Sequence, residues 1–358
     1  SWVEVIDYAL ELAREAVRLL PDYSEMTDYK GNSITYKCTP NKGAAQALLA
    51  NLCAWKAGCK YMAQPEEATY DERALWVEAD SVCTALISSG IYKLAKTPEE
   101  VCTSTLVGSD AESIYEIVLR DYWNELENES PYSVHDLFYY FGPMYQTWPV
   151  IPGMSAGSLA FRSWKILSTT VCEMYSERIV GNDTITDLRK DAYFYKVDSM
   201  AHDTLLDITE GYAYPWKFRL VKLGTSGWSA GEFINFDQNR IVFRLADIIL
   251  LRAECRVRLG NNEGAIADLN TIRERANAEL YHSSEYGGDL RYAIFKEREK
   301  ELLMEGCRWY DVIRNEYYKT ELYGGFRNVS KQDILDGVFF NAVDNNEFSE
   351  NPLARQNT

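Results

Sequence analysis

Long apolar runs are missing from this 358-residue chain: the longest, Leu245 to Leu251, is already broken by Asp247, so no segment reads as a bilayer-spanning helix. Clustered positive charge is missing too. With 37 basic against 54 acidic side chains the net charge is -17. A nucleic-acid binder needs a cationic face to neutralise phosphates, and a peripheral membrane protein needs a polybasic patch. Neither is present. Histidine is scarce, at positions 135, 202 and 282, and the eight cysteines (38, 53, 59, 83, 102, 172, 255, 307) contain no CxxC pair. That spacing argues against zinc and reads instead as small buried hydrophobes, with thiols and bridges both open. The chain also lacks a GxSxG elbow, a GxGxxG or GxxxxGK phosphate cradle, and a signal-peptide pattern. What it has in abundance is aromatic side chains: 25 Tyr, 13 Phe and 9 Trp. Tyrosine outnumbering phenylalanine two to one favours rings with one wet edge, a first pointer to a ligand surface.

Helical periodicity dominates both ends. Trp2, Ile6, Ala9, Leu10, Ala13, Val17 and Leu20 recur at steps of three and four, ending before Pro21, with Ser1 and Glu4 placed for a capping box. From Asn41 a second helix puts Ala44, Leu48, Leu52 and Trp55 on one face, with Gly58 as its stop. A third runs from Pro65 to Ser89, with Leu75, Val82, Ala85 and Leu86 inward and Gly90 closing it. Near the C-terminus Leu245–Leu259 and Glu263–Ala276 flank Gly260-Asn261-Asn262, where Gly260 suits the left-handed residue after a helix and Asn262 the next N-cap. A further helix is expected from Asp289 to Gly306, followed by RWYDVIR. Helix pairs of this size are like tetratricopeptide units, but their recurrence is irregular. The stretch from Glu129 to Gln238, with Pro, Gly and aromatic clusters, reads as loops with short strands. The expected organisation is a single, mostly α domain. Residues 1–128 form N-terminal helical hairpins, 129–243 an irregular aromatic-rich insertion, 244–320 a helical hairpin and long helix, and 321–358 a tail.

Several segments, taken in order, resemble the SusD/RagB family of surface glycan-binding lipoproteins of Bacteroidetes. They are the opening helix leading to LLPDY, KGAAQALLANLCAWKAG, ADSVCTALISSGIYKL, SDAESIYEIVL, DLRKD (Asp187, Arg189) and YPWKF (Tyr214, Lys217, Phe218). The C-terminal part carries the resemblance most strongly, through FRLADIILLRAECRVRLGNNEGAIADLNTIRERA, EREKELLMEGCRWYDVIR and the closing ENPLARQN. The chain departs from the pattern in opening inside a helix without a leader or lipid-bearing cysteine, which reads as a missing N-terminal part, and in having FFNAV where the family often shows Pro-Ile-Pro. The resemblance implies a tetratricopeptide-like scaffold and a lipid anchor on the extracellular face of the outer membrane. It also implies a glycan ligand handed to a SusC-like TonB-dependent transporter, with no cofactor. A structural calcium ion stays compatible with so acidic a chain.

Two sets of residues stand out as candidates. Arg244, Asp247, Glu254, Glu297, Arg298, Glu301, Glu305 and Arg308, joined by Asp311 and Arg314, fall at helical spacings with opposite signs adjacent. Such neighbours keep carboxylates ionised, so the set reads as a structural salt-bridge network rather than as a catalytic pair needing a raised pKa. Glu127, Glu129 and Asp136 are the least poor carboxylates for glycoside cleavage, though no spacing singles them out, and His135 reads as a surface or satisfied histidine. The segment from Tyr132 to Trp164 holds nine rings in 33 residues, punctuated by Gly142-Pro143, Trp148-Pro149 and Pro152-Gly153 turns. A sugar stacks its C–H face on an aromatic plane, and Tyr and Trp add a polar handle. Tyr139, Tyr140, Tyr145 and Trp148 are the expected platform, with Trp164 and Trp228 as outer contacts; Trp216, inside YPWKF, reads as structural. In the resembling family the ligand residues lie in variable loops, so this choice rests on composition and position. The expected activity is binding without bond breaking. A glycoside hydrolase and a helical adaptor for a peptide or protein are the alternatives.

Overall fold

The computed structural model of the chain describes residues 1–118, 153, 165–180, 182–202, 211–225, 227 and 230–341. Three helices build its N-terminal part. Helix α1 (Trp2–Leu19) starts at a capping box in which the Ser1 hydroxyl accepts from the Glu4 amide and the Glu4 carboxylate reaches back to the Ser1 nitrogen; it buries Val3, Leu10 and Ala13. Helix α2 (Lys42–Gly58) is capped by Asn41, whose side chain accepts from the Ala44 amide at 3.0 Å. Its inward face differs from the expected one. Ala44, Ala47, Leu49, Ala50, Cys53, Ala54 and Ala57 are buried, while Leu48 is 44% exposed and Leu52 and Trp55 are only half-buried. Mostly small side chains face inward because α2 is packed between α1 and helix α3 (Glu72–Ser88), and close helix approach leaves little room for larger ones, Leu49 excepted. Gly58 is the last helical residue, where the sequence places the stop, and a Cβ there would strike the side chain and carbonyl of Arg314.

Helix α3 begins at Glu72, seven residues later than the apolar pattern implies, because Asp71 caps it by accepting from the Arg73 and Ala74 amides at 2.9 and 3.3 Å. Leu75, Trp76, Ala79, Cys83 and Leu86 turn inward, and Ala85 faces out. Gly90 adopts φ +68° just beyond the helix.

Strand β1 (Ser113–Ile117) pairs antiparallel with β2 (Arg240–Arg244), setting Ser113 opposite Arg244. Strand β2 runs directly into helix α4 (Leu245–Leu259), the centre of the molecule, which is buried on nearly every side by α2, α3 and two later helices. Gly260 ends it at φ +85°. Asn261, one residue before the expected Asn262, caps helix α5 (Asn262–Arg275) by accepting from the Gly264 amide at 3.1 Å. Helix α6 (Leu290–Glu301) stops five residues short of Gly306, and Met304 and Gly306 take positive φ before helix α7 (Arg308–Arg314).

The largest apolar cluster draws residues from α1, α2, α3, β1, α4, α5 and α6, so both ends of the chain share one core. Short antiparallel pairs, Ile166–Leu167 with Tyr212–Ala213 and Val221–Leu223 with Phe233–Phe236, lie in the middle of the chain. A smaller cluster there gathers Cys102, Val171, Tyr175, Tyr193, Phe194 and Met304. The fold is mostly helical: tetratricopeptide-like hairpins with a few short strands. All eight cysteines are free thiols, five of them buried. No helix among the described residues is long and apolar enough to cross a membrane.

Candidate functional site

Arg244 sits where β2 becomes α4 and is 1% exposed. Its Nη1 donates to Glu112 and Glu301, both at 2.7 Å, its Nε to Glu305 at 2.7 Å, and its Nη2 to Glu305 at 2.8 Å and to the Glu301 carbonyl at 2.9 Å. Glu301 also meets Arg275 at 2.5 Å and Arg189 at 3.4 Å. Lys217 donates to the Glu301 and Leu303 carbonyls at 3.0 Å and pairs with Glu305, its ammonium 4.0 Å from the centre of the Tyr193 ring. Lys217 and Arg244 thus satisfy the Glu301 carbonyl left open at the end of α6. Arg189 pairs with Asp187 and with Glu297, which Arg273 holds from the other side at 2.8 Å.

A second buried cluster runs alongside. Arg298 bridges Asp247 at 2.7 Å and Asp311 at 2.9 Å, and Arg314 forks onto Glu254 at 2.9 and 2.7 Å. Arg308 stands apart, half-buried, on Glu299 and Glu321. Glu112 and Arg275 escaped the sequence reading. Glu112 lies 132 residues from Arg244, and no local spacing signals such a pairing.

Burial by itself would raise these carboxyls. The guanidinium groups outweigh it, holding Glu254 (beside Arg314) and Glu297 (between Arg189 and Arg273) at about 2, and Glu301 and Glu305 are likewise lowered. A carboxyl so strongly ionised cannot serve as the general acid of glycoside cleavage. These residues pin five elements of the scaffold together.

The aromatic candidates Tyr139, Tyr140, Tyr145, Trp148, Trp164 and Trp228, together with Glu127, Glu129, His135 and Asp136, lie outside the described residues. Among the described residues, two open depressions mark the surface near the middle of the chain. One, of about 290 Å³, is bordered by Tyr175, Arg273, Glu279, His282 and Lys300; burial pulls the Lys300 ammonium down, against the pull of Glu297. The other, of about 430 Å³, is bordered by Tyr195 and Trp216 with Asp191, Lys196, Asp198 and Ser199. No group of three or more His, Cys, Asp or Glu side chains among the described residues is arranged to hold a metal ion.

Comparison with known proteins places this architecture. The model of the SusD family matches residues 137–350, more than half of the chain. The SusD-like protein P38 of Formosa agariphila is 33% identical over 124 residues, 32% of this chain and 24% of that protein. The SusD-like protein P25 of the same bacterium is 45% identical over 85 residues, 22% of this chain and 16% of that protein. The chain therefore matches a quarter or less of the length of these curated relatives. A SusD homolog from Bacteroides thetaiotaomicron superposes with a TM-score of 0.68 at 21% identity, covering 99% of this chain and 68% of that one. Surface glycan-binding protein A from Bacteroides thetaiotaomicron, in complex with laminarihexaose, superposes with a TM-score of 0.62 at 16% identity, covering 98% and 70%. At such identities the solved structures establish the fold alone. The family match, spanning most of the insertion and the whole C-terminal scaffold from α4 to α7, establishes the lineage: the chain belongs to the SusD family.

Proposed function

We propose that this protein holds an oligosaccharide or polysaccharide at the outer face of the outer membrane, to which a lipid anchors it. It leaves the sugar intact and passes it to a SusC-like TonB-dependent transporter. The observation that carries this reading is membership of the SusD family together with the laminarihexaose bound to a relative of the same fold. The ligand residues proposed are Tyr139, Tyr140, Tyr145 and Trp148, flanked by Trp164 and Trp228, because rings clustered on turn-rich sequence offer stacking faces with polar edges. Binding without cleavage is supported by Glu254, Glu297, Glu301 and Glu305, whose carboxylates are each spent on neutralising an arginine. A net charge of -17 suits a neutral sugar better than an anionic one.

Calorimetry against a panel of neutral polysaccharides tests the reading. Trp148→Ala and Tyr140→Ala are expected to raise Kd about threefold to tenfold each, the worth of one stacked ring. Unchanged affinity in both, with the fold intact, removes that site assignment. Release of new reducing ends during the titration would replace the binding reading with a hydrolytic one. For the transporter, cross-linking on intact cells that recovers the protein without any TonB-dependent partner would remove the delivery step.

A further inference from the structure

Tyr195 and Trp216 are brought together by a short antiparallel bridge: the Tyr195 amide donates to the Tyr214 carbonyl at 2.9 Å and the Trp216 amide to the Tyr193 carbonyl at 2.7 Å, around the Phe194–Pro215 pair. Beneath the bridge Tyr193, Phe194 and Tyr214 are fully buried, so the two outer rings stand on a rigid base. Their centroids are 5.2 Å apart with planes at 62°, forming two walls of a notch. Arg219, buried and locked by Glu99 and the Ala192 carbonyl, lies 5.2 Å from the Trp216 ring centre and does not border the depression, so it braces the indole from behind. Trp216, which its place in YPWKF reads as structural, also keeps a partly exposed front.

Four polar groups on this notch are unspent. The Trp216 Nε1, the Tyr195 hydroxyl, the Asp191 carboxylate and the Ser199 hydroxyl make no hydrogen bond among the described residues. Lys196, which follows Tyr195 in left-handed backbone at φ +42°, folds its ammonium to 5.3 Å from the Tyr195 ring centre. Left-handed backbone at a non-glycine residue is strained, and such positions gather at ligand sites. The geometry points to a second carbohydrate contact here: one pyranose ring stacked on Trp216 or Tyr195, its hydroxyls bonded to Asp191, Ser199 and the indole N–H. Rings inclined at 62° leave no parallel slot for a planar aromatic ligand, and of the two bordering carboxylates Asp198 is neutralised by Lys190 while Asp191 disfavours an anionic one. A chair-shaped, neutral, hydroxyl-rimmed ring meets both constraints. This inference takes its class of ligand from the function proposed above and adds a contact point on residues other than those of the segment from Tyr132 to Trp164.

Fluorine NMR of 5-fluorotryptophan-labelled protein separates the two. The Trp216 line is assigned by its loss in Trp216→Phe, and the protein is titrated with laminarihexaose, maltohexaose, cellohexaose and mannohexaose. The Trp216 line is expected to move with at least one of them and to keep moving in Trp148→Ala. In that background Trp216→Ala should weaken the residual binding about threefold to tenfold, with Trp216→Phe losing less because a stacking face remains although the indole N–H is gone. A Trp216 line that stays still while other indoles shift overturns the second contact and leaves the proposed function standing. No shift in any line with any of the four sugars overturns both.

Discussion

Glu301 receives Arg244, Arg275 and Arg189 on one carboxylate, with Lys217 on its backbone carbonyl, and it is fully buried. Removing one member of such a group leaves charge without compensation in a dry site, which is costlier than the pair was worth. Glu301→Gln is therefore expected to lower the unfolding free energy by about 3–5 kcal/mol in urea melts, while glycan affinity of the folded protein stays unchanged. The same cluster predicts the acid response. Glu254 and Glu297 ionise at about 2 when folded and at the ordinary 4.5 when unfolded, so the unfolded chain takes up protons first. Stability from these groups is complete above pH 4.5 and drains away as the pH falls toward 2. Urea melts stepped through that interval should show a steady decline; a flat profile would contradict the pairing. At this scale the alternation of charges was legible in the sequence, but Glu112 and Arg275 were not, because they join the cluster across the fold.

Helix boundaries are set by single capping side chains. Asp71 and Asn261 each satisfy amides that apolar periodicity does not register, and both moved a helix start away from its expected position. The two helix-ending glycines act through different physics. Gly260 has open space around its missing Cβ and needs only its left-handed backbone. Gly260→Ala should cost about 1 kcal/mol, and Gly260→Asn should recover most of it because asparagine tolerates that conformation. Gly58 is held by contact with Arg314, so Gly58→Ala should cost about 1–3 kcal/mol with no larger residue recovering it. Thermal melts of these three variants and of Gly58→Asn check the contrast; rescue of position 58 by asparagine would refute it. The alanine-rich inner face of α2 belongs here as well. Periodicity located a helix but, Ala44 apart, chose the wrong stripe, since a helix enclosed by neighbours buries mostly small side chains.

For the molecule as a whole, a ligand held by ring stacking and neutral hydrogen bonds should be insensitive to ionic strength despite the chain's charge of -17. Raising salt from about 0.05 to 0.5 M is expected to change the glycan Kd less than about twofold in calorimetry, whereas a steep dependence would mean a charged ligand. Helix type and most helix ends were readable from residues within a few positions of one another, because capping bonds and i, i+4 periodicity are local, while the family showed as a resemblance of ordered segments along the whole chain. The inward stripe of α2, the partners of Arg244 and the half-exposed front of Trp216 depend on contacts between segments far apart in the chain, such as Arg244 with Glu112 and Arg219 with Glu99. No local pattern encodes those contacts. Only the packing of one element on another decides which polar atoms are spent inside and which remain open to a ligand.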